Sequence, residues 1–172
     1  MQLTTKGRYV IRAMIDMAIH SVNGPVLVKD ISERQGISAR YLEQLLLAPK
    51  IAGLIRSTRG AHGGFTFTRD PSEITLLDIV QIMEGSISPA ECADDPTICP
   101  LVDTCVTHDI WVKVKRATDA ILESTTLQDL VDQQIKRGAS VIVSDCSAAN
   151  SPHLKTKKNK KEDIWRKRPS KE

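Results

Sequence analysis

Residues 30–45 read D-I-S-E-R-Q-G-I-S-A-R-Y-L-E-Q-L, and this stretch predicts two short helices joined by a tight turn. The first helix is expected over about residues 27–35, and Gly36 stands where a helix commonly ends in a left-handed residue. Ser38 stands where the next helix needs a side-chain oxygen to cap its first turn. Two short helices around a glycine-containing turn are the signature of a helix-turn-helix, which places its second helix in the major groove of DNA.

The second helix, expected over about residues 39–48, has an apolar and a polar face. Three leucines should be buried on the apolar face: Leu42, Leu45 and Leu46. The polar face carries side chains that suit base edges, with Arg40 matching guanine, Gln44 adenine and Glu43 the cytosine amino group. A solvated helix face is the alternative for any one of them, but their position after the Q-G-I-S turn favours DNA. Pro49 should end this helix or kink its last turn.

A longer helix is expected before this motif, over about residues 6–21. Its buried stripe recurs at three and four residues: Val10, Met14, Met17 and Ala18. Three charged residues fall off that stripe: Arg8, Arg12 and Asp16. After the leucine-rich helix, Thr75 should cap another helix that runs through Glu84, with Asp78 and Glu84 as surface charges.

Residues 54–58 and 65–68 both favour strand, and R-G-A-H-G-G lies between them. Because this connection is too long for a two-residue turn, glycine is expected to bend the tip of a β-hairpin. A helix-turn-helix followed by a hairpin predicts a winged helix. Arg59, at the edge of the wing, suits a narrow and strongly negative minor groove, with a phosphate contact or no contact as the alternative.

Residues 92–108 read C-A-D-D-P-T-I-C-P-L-V-D-T-C-V-T-H and hold three of the four cysteines. Six residues separate Cys92 from Cys99, five separate Cys99 from Cys105, and two separate Cys105 from His108. Thiolates with one imidazole suit zinc or an iron–sulphur cluster. The closely spaced cysteine pair of structural zinc sites is missing, so the longer spacing favours a cluster. Reduced cysteines without a metal are the alternative.

The helix expected over about residues 108–123 is too apolar for a lone surface helix. One stripe carries Ile110, Val114, Ala117 and Ile121. Pairing with the same helix of a second subunit is the economical way to bury it, which predicts a homodimer. A further short helix is expected over about residues 127–136.

Charge is strongly segregated along the chain. Residues 1–69 carry 10 Lys+Arg and 4 Asp+Glu, residues 70–150 carry 5 and 14, and residues 151–172 carry 9 and 3. A basic front and an acidic middle fit a protein that touches a polyanion with one end only. Residues 147–172 have too few apolar groups to fold alone and are expected to form a disordered basic tail.

No apolar run precedes the charges of M-Q-L-T-T-K-G-R, and no run reaches the length of about 18 residues that a membrane-spanning helix needs. We therefore expect a cytoplasmic protein without a membrane partner. In that reducing compartment, clustered cysteines indicate metal ligands or redox groups before disulfides.

The residues above resemble the IscR-like family of bacterial winged-helix transcription regulators, which includes NsrR-like and CymR-like members. The resemblance covers about residues 1–137. It is carried by M-Q-L-T-T-K-G-R-Y, D-I-S-E-R-Q-G-I-S-A-R-Y-L-E-Q-L, R-G-A-H-G-G-F, the cysteine loop and T-H-D-I-W. It implies a homodimer of winged helices with a long dimerisation helix, bound to double-stranded DNA at a roughly palindromic operator.

The resemblance also implies roles for individual residues. The implied major-groove set is Ser38, Arg40, Tyr41, Glu43 and Gln44. Arg59 is implied at the minor groove, with the neighbouring Gly60 in the same DNA-binding set. The implied ligands of an iron–sulphur cluster, most simply [2Fe–2S], are Cys92, Cys99, Cys105 and His108.

The sequence therefore predicts a mainly α protein with a small β-hairpin wing. Residues 1–85 should form the winged helix, 86–106 the cluster-binding loop and 107–137 the dimerisation helices. We expect a DNA-binding regulator whose operator binding depends on the cluster. The alternatives are a zinc or thiol-redox switch in the same regulator, or an iron–sulphur electron carrier. The sequence shows no nucleophile–base pair and no glycine-rich loop that could bind phosphate, so it does not indicate an enzyme.

Overall fold

A computed structural model describes residues 3–60 and 63–138, which form a mainly α-helical fold with one antiparallel hairpin. The winged-helix fold class predicted from the sequence is confirmed. The helices are α1 (Thr5–His20), α2 (Val28–Gln35), α3 (Ala39–Leu45), α4 (Leu47–Ile51), α5 (Leu76–Glu84), α6 (His108–Glu123) and α7 (Leu127–Lys136). The strands are β1 (Ile55–Thr58) and β2 (Gly64–Phe67). The predicted tail over 147–172 lies outside the described residues.

α2 and α3 form the predicted helix-turn-helix. Gly36 ends α2 in the left-handed region at φ 64°. The side chain of Ser38 accepts a hydrogen bond from the backbone N–H of Tyr41 at 3.4 Å, which caps the first turn of α3. Both signals predicted from the sequence thus act where they were expected.

The helix predicted over 39–48 is interrupted at Leu46, and the chain continues as α4. Pro49 has no N–H to offer to a carbonyl one turn earlier, so α3 cannot continue through it unchanged. Instead Pro49 lies in the first turn of α4, where a missing N–H costs least, and it is buried. The break leaves the three leucines Leu42, Leu45 and Leu46 inside the core.

The wing is the hairpin of β1 and β2, in which Ile55 lies opposite Phe67 and Thr58 opposite Gly64. Val26 adds a short bridge to β2 through two backbone hydrogen bonds with Phe65, of 2.9 and 2.8 Å. Gly64 has φ 147°, and a Cβ there would lie 2.6 Å from the carbonyl oxygen of Val26. Only glycine fits this close approach, which ties the wing to the segment before α2.

α7 closes the core by packing on α1. Leu127 is fully buried in the same apolar cluster as the α1 side chains Val10 and Met14. The segments before α5 and α7 pair: Leu76 donates to Thr125 and Leu127 donates to Ile74, both at 2.8 Å. The C-terminal end of α6 is thereby fixed to the winged helix.

Two carboxylates that the sequence predicts to be surface charges have structural partners. Asp78 completes a capping box with Thr75 and lies 2.9 Å from Arg69. Glu84 accepts hydrogen bonds from the hydroxyl and the backbone N–H of Thr4, at 2.6 and 3.1 Å.

Asp16 lies off the apolar stripe of α1 and is nevertheless buried, with only 2% of the residue exposed. Arg34 donates to both carboxylate oxygens, with Nε at 2.9 Å from Oδ1 and Nη2 at 2.7 Å from Oδ2. Gln35 donates a further hydrogen bond to Oδ1 at 3.1 Å. The hydrogen bond with Asp16 is the main cause that raises the pKa of Arg34. The stripe pattern of one helix could not show that a cation from α2 would cover this carboxylate.

No helix among the described residues is long and apolar enough to cross a membrane.

We expect Asp16→Ala to lower the free energy of unfolding by about 3 kcal/mol, because removing one partner of a buried pair strands the other charge. The estimate is at the lower end of the usual range because 31% of the Arg34 side chain is exposed. Urea unfolding followed by circular dichroism measures the change. Glu33→Ala is the control, since Glu33 forms an exposed pair with Lys29, and its loss should cost less than about 1 kcal/mol. Equal losses in the two variants would contradict the role given to Asp16.

Candidate nucleic-acid interface and cysteine loop

The outer face of α3 carries the side chains predicted to read DNA. Arg40, Glu43 and Gln44 are exposed, and no side-chain hydrogen bond or ion pair joins them to another described residue. Ser38 is exposed at the start of the helix, where its hydroxyl already accepts the capping bond. This face is therefore free of intramolecular partners within the described residues, as a surface that contacts bases requires.

Tyr41 differs from its neighbours because it is partly buried against the core. Its ring meets the ring of Tyr9 edge to face, with 6.3 Å between centroids. The guanidinium of Arg12 lies 5.8 Å from the centroid of Tyr9, within the range of a cation–π contact. Arg12 in turn donates to the side chain and the backbone carbonyl of Gln35, both at 3.1 Å. A chain of contacts thus leads from the buried ion pair of Asp16 to the first turn of α3.

The wing presents Arg59 and Gly60 at the end of β1, and both are exposed. Gly60 has φ 117°, and its carbonyl accepts a hydrogen bond from the backbone N–H of Gly63 at 2.9 Å. A Cβ on Gly63 would lie 2.4 Å from the carbonyl oxygen of Thr58. The glycines of this connection are therefore required by the turn, which projects Arg59 from the hairpin.

The cysteine loop consists of three short 3-10 helices, Glu91–Ala93, Pro96–Ile98 and Val102–Thr104. Cys92 lies inside the first, Cys99 directly follows the second, and Cys105 directly follows the third. All three thiols are free and partly exposed. The loop thus distributes the predicted ligands over separate turns.

Within residues 3–60 and 63–138, no three His, Cys, Asp or Glu side chains lie close enough to hold a metal ion. The geometry therefore does not bring Cys92, Cys99, Cys105 and His108 together. Nδ1 of His108 is nevertheless buried without a hydrogen-bond partner in the described structure, which is costly unless the atom gains a bond. Three thiols and an imidazole are the donors that iron–sulphur centres and zinc prefer. These four side chains are therefore chemically suited to hold such a group. The turns that carry them must move to bring them together.

The surroundings of Cys105 favour its thiolate. Its Sγ lies 3.2 Å from the hydroxyl oxygen of Thr107, and this hydrogen bond is the main cause that lowers the pKa of Cys105. The backbone N–H groups of Thr107 and His108 act in the same direction, whereas the nearby charge of Asp109 opposes it. Because the thiolate is the form that binds metals and attacks oxidants, Cys105 is prepared for either chemistry.

Asp94 anchors the first turn of the loop to the neighbouring helices. Its Oδ1 accepts a hydrogen bond from the hydroxyl of Ser86 at 2.8 Å and lies 3.5 Å from Nζ of Lys115 in α6. Lys115 also donates to Asp119 one turn later, at 2.5 Å. The hydrogen bond to Asp119 is the main cause that raises the pKa of Lys115, with Asp94 adding to it. The spacing of Lys115 and Asp119 could suggest their pair, but nothing in the sequence indicates the contact with Asp94.

α6 begins at His108 and ends at Glu123, in agreement with the predicted bounds, and none of its residues is buried. Its apolar side chains remain substantially exposed, with 50% exposure for Ile110, 37% for Val114 and 66% for Ile121. The described part of this chain therefore leaves the predicted apolar stripe uncovered.

The chain is similar in sequence and in fold to transcriptional regulators. The family model described as Rrf2, iron-dependent transcriptional regulator, matches residues 3–133. Protein rrf2 of Nitratidesulfovibrio vulgaris is 40% identical over 131 residues, which are 76% of this chain and 87% of the relative. The HTH-type transcriptional regulator IscR of Photorhabdus laumondii is 41% identical over 134 residues, which are 78% and 81% of the two chains.

Two solved structures show the same fold. CymR, the global cysteine regulator of B. subtilis, is 36% identical with a TM-score of 0.66, over 77% of this chain and 98% of that one. IscR of T. potens is 36% identical with a TM-score of 0.62, over 84% and 93% of the two chains. These relatives are transcriptional regulators and not enzymes, and the match to the family model ends at residue 133.

Proposed function

The chain belongs to the Rrf2 family of DNA-binding transcriptional regulators, and we propose that its operator binding is modulated by an iron–sulphur cluster in the 92–108 loop. The observation that carries this proposal is the match of residues 3–133 to a family described as iron-dependent. The loop supports it with three free thiols and the unpartnered Nδ1 of His108. Because the relatives are transcriptional regulators, they do not support the electron-carrier alternative.

In this proposal the exposed face of α3 reads bases in the major groove. Arg40 and Gln44 donate to guanine and adenine, and Ser38 and Tyr41 contact the adjoining groove edge. A carboxylate repels phosphate, so Glu43 can contribute only where a cytosine amino group meets it, and it discriminates between sites. Arg59, presented by the turn at Gly60, enters the minor groove beside the site.

The ligands in this proposal are Cys92, Cys99, Cys105 and His108, holding a cluster of the [2Fe–2S] type. When bound, such a group supplies an iron centre whose charge changes on oxidation and which is lost when iron is scarce. The hydrogen bond with Thr107 lowers the pKa of Cys105 and so favours its thiolate, and Nδ1 of His108 lacks a hydrogen-bond partner among the described residues.

A thiol switch in the same loop is the second candidate. It is supported by the similarity to CymR, a global cysteine regulator, and by the lowered pKa of Cys105. The separation of the thiols among the described turns also suits a loop that works without metal. Zinc in place of the cluster would use the same thiols.

We also propose that the protein acts as a homodimer through α6. The exposure of Ile110, Val114 and Ile121 on one helical face supports a second copy of α6 as the partner. Two copies of α3 about 34 Å apart would read successive turns of DNA, so the operator would be roughly palindromic.

Operator binding tests the proposed DNA interface. Gln44→Ala should weaken binding to the operator by about 1–3 kcal/mol, roughly 5- to 150-fold, because it removes a base-edge contact. Arg59→Ala should also weaken binding, and both losses can be measured by fluorescence anisotropy with a fragment selected from the protein's own genome. The matched controls are Gln133→Ala and Arg137→Ala, which change exposed residues at the end of α7. Equal affinities for all four variants would contradict the interface.

The cluster is tested by purifying the full chain without oxygen. We expect visible absorbance with equal amounts of iron and acid-labile sulphide, and operator affinity that changes when both are removed. Cys92→Ser, Cys99→Ser and Cys105→Ser should each abolish the absorbance, and His108→Ala should shift it. Colourless protein without iron contradicts the cluster; zinc, or reversible oxidation of the thiols that alters operator affinity, would then support the second candidate.

Sedimentation equilibrium tests the dimer, for which we expect twice the 19.0 kDa of one chain. The double change Ile110→Glu and Val114→Glu places charges on the apolar face and should give monomers with a folded winged helix. Lys113→Glu, an exposed position on the same helix, is the control and should remain dimeric. A wild-type monomer at micromolar concentration would contradict the proposal.

A further inference from the structure

The cysteine loop is held in place by few buried groups. None of its three 3-10 helices contributes a buried residue, and Ile98, Leu101 and Val106 are at least half exposed. Apolar packing therefore contributes little to its position. Hydrogen bonds and ion pairs must therefore contribute a larger share of the interactions that hold the loop than of those that hold the core.

Asp94 is placed to supply that attachment. The backbone N–H groups of Asp94 and Asp95 both donate to the carbonyl of Glu91 at 3.0 Å, which closes one turn around Cys92. A displacement of Cys92 therefore moves Asp94 with it. The carboxylate of Asp94 touches both Ser86, just after α5, and Lys115 in the middle of α6.

Lys115 can form or break its ion pair with Asp94 at a small cost in free energy. Its side chain is 24% exposed and that of Asp94 is 32% exposed, so the pair is only partly screened by water. If Asp94 moves away, Lys115 keeps its hydrogen bond to Asp119 and is not left as an unpaired charge. Such a contact can form and break with the position of the loop, unlike the buried pair of Asp16 and Arg34.

We propose that Asp94 is a positioning residue that couples the position of Cys92 to the orientation of α6, through its contacts with Ser86 and Lys115. This inference rests on the proposed function, because it assumes that binding or oxidation at the thiols moves the loop. The far end of α6 is fixed by the pairing of residues 74–76 with 125–127, so a pull at Lys115 tilts the helix about that end. In a dimer built on α6, a tilt changes the separation of the two recognition helices.

The test compares Asp94→Asn with Asp119→Asn in the full chain. Both substitutions remove one negative charge from beside the same lysine, but only the first removes it from the contact with the loop. For each protein, operator affinity is measured with the iron–sulphur cluster reconstituted and after its removal, and the ratio of the two is the coupling. Asp94→Asn should keep its iron, its sulphide and its absorption spectrum while its coupling falls by about 2- to 30-fold. Asp119→Asn should keep the wild-type coupling.

Hydrogen–deuterium exchange of the metal-free proteins provides a readout that does not depend on the cluster. Asp94→Asn should speed exchange in residues 91–95 relative to wild type, and Asp119→Asn should not. Unchanged coupling in Asp94→Asn, loss of its cluster, or equal effects of both variants would overturn the positioning role. Wild-type protein whose operator affinity ignores the cluster would instead overturn the proposed function, and the exchange result would still report whether Asp94 holds the loop.

Discussion

The charge pair between Asp16 and Arg34 is the constraint on which the DNA-binding half depends. A buried carboxylate must be matched by donors in one geometry, and Arg34 and Gln35 supply four hydrogen bonds to it. This requirement fixes α2 against α1 more specifically than apolar packing could. Gln35 continues the network to Arg12, and through the two tyrosine rings it reaches the first turn of α3. The outer face of α3 is therefore oriented by a network that begins at two buried polar residues, Asp16 and Gln35.

Local signals predicted most of the elements. The turn at Gly36 and Ser38 and the bounds of α6 and α7 follow from caps and helical periodicity, which are properties of neighbouring residues. What the sequence could not show depends on residues far apart in the chain. The burial of Asp16 requires a cation from α2, and the packing of α7 on α1 requires the whole chain to turn back on itself.

The candidate site was predicted unevenly for the same reason. Exposure of Arg40, Glu43 and Gln44 follows from the face of α3 opposite its leucines, so their placement could be read from the sequence. Spacing alone could identify the donors of the cysteine loop but not their arrangement, because metal ligands commonly assemble only as the metal binds. The contact between Asp94 and Lys115 joins two segments with no common periodicity, so only the structure shows it.

The return of α7 to α1 has a consequence for the order in which the protein can fold during synthesis. The core that contains Val10 also contains Leu127, so the DNA-binding half cannot complete it until nearly all described residues have left the ribosome. Contacts between such distant segments slow folding, because a long loop must close first. The cysteine loop emerges before that moment, and its thiols are therefore open to cellular iron or oxidants while the nascent chain still lacks a finished core.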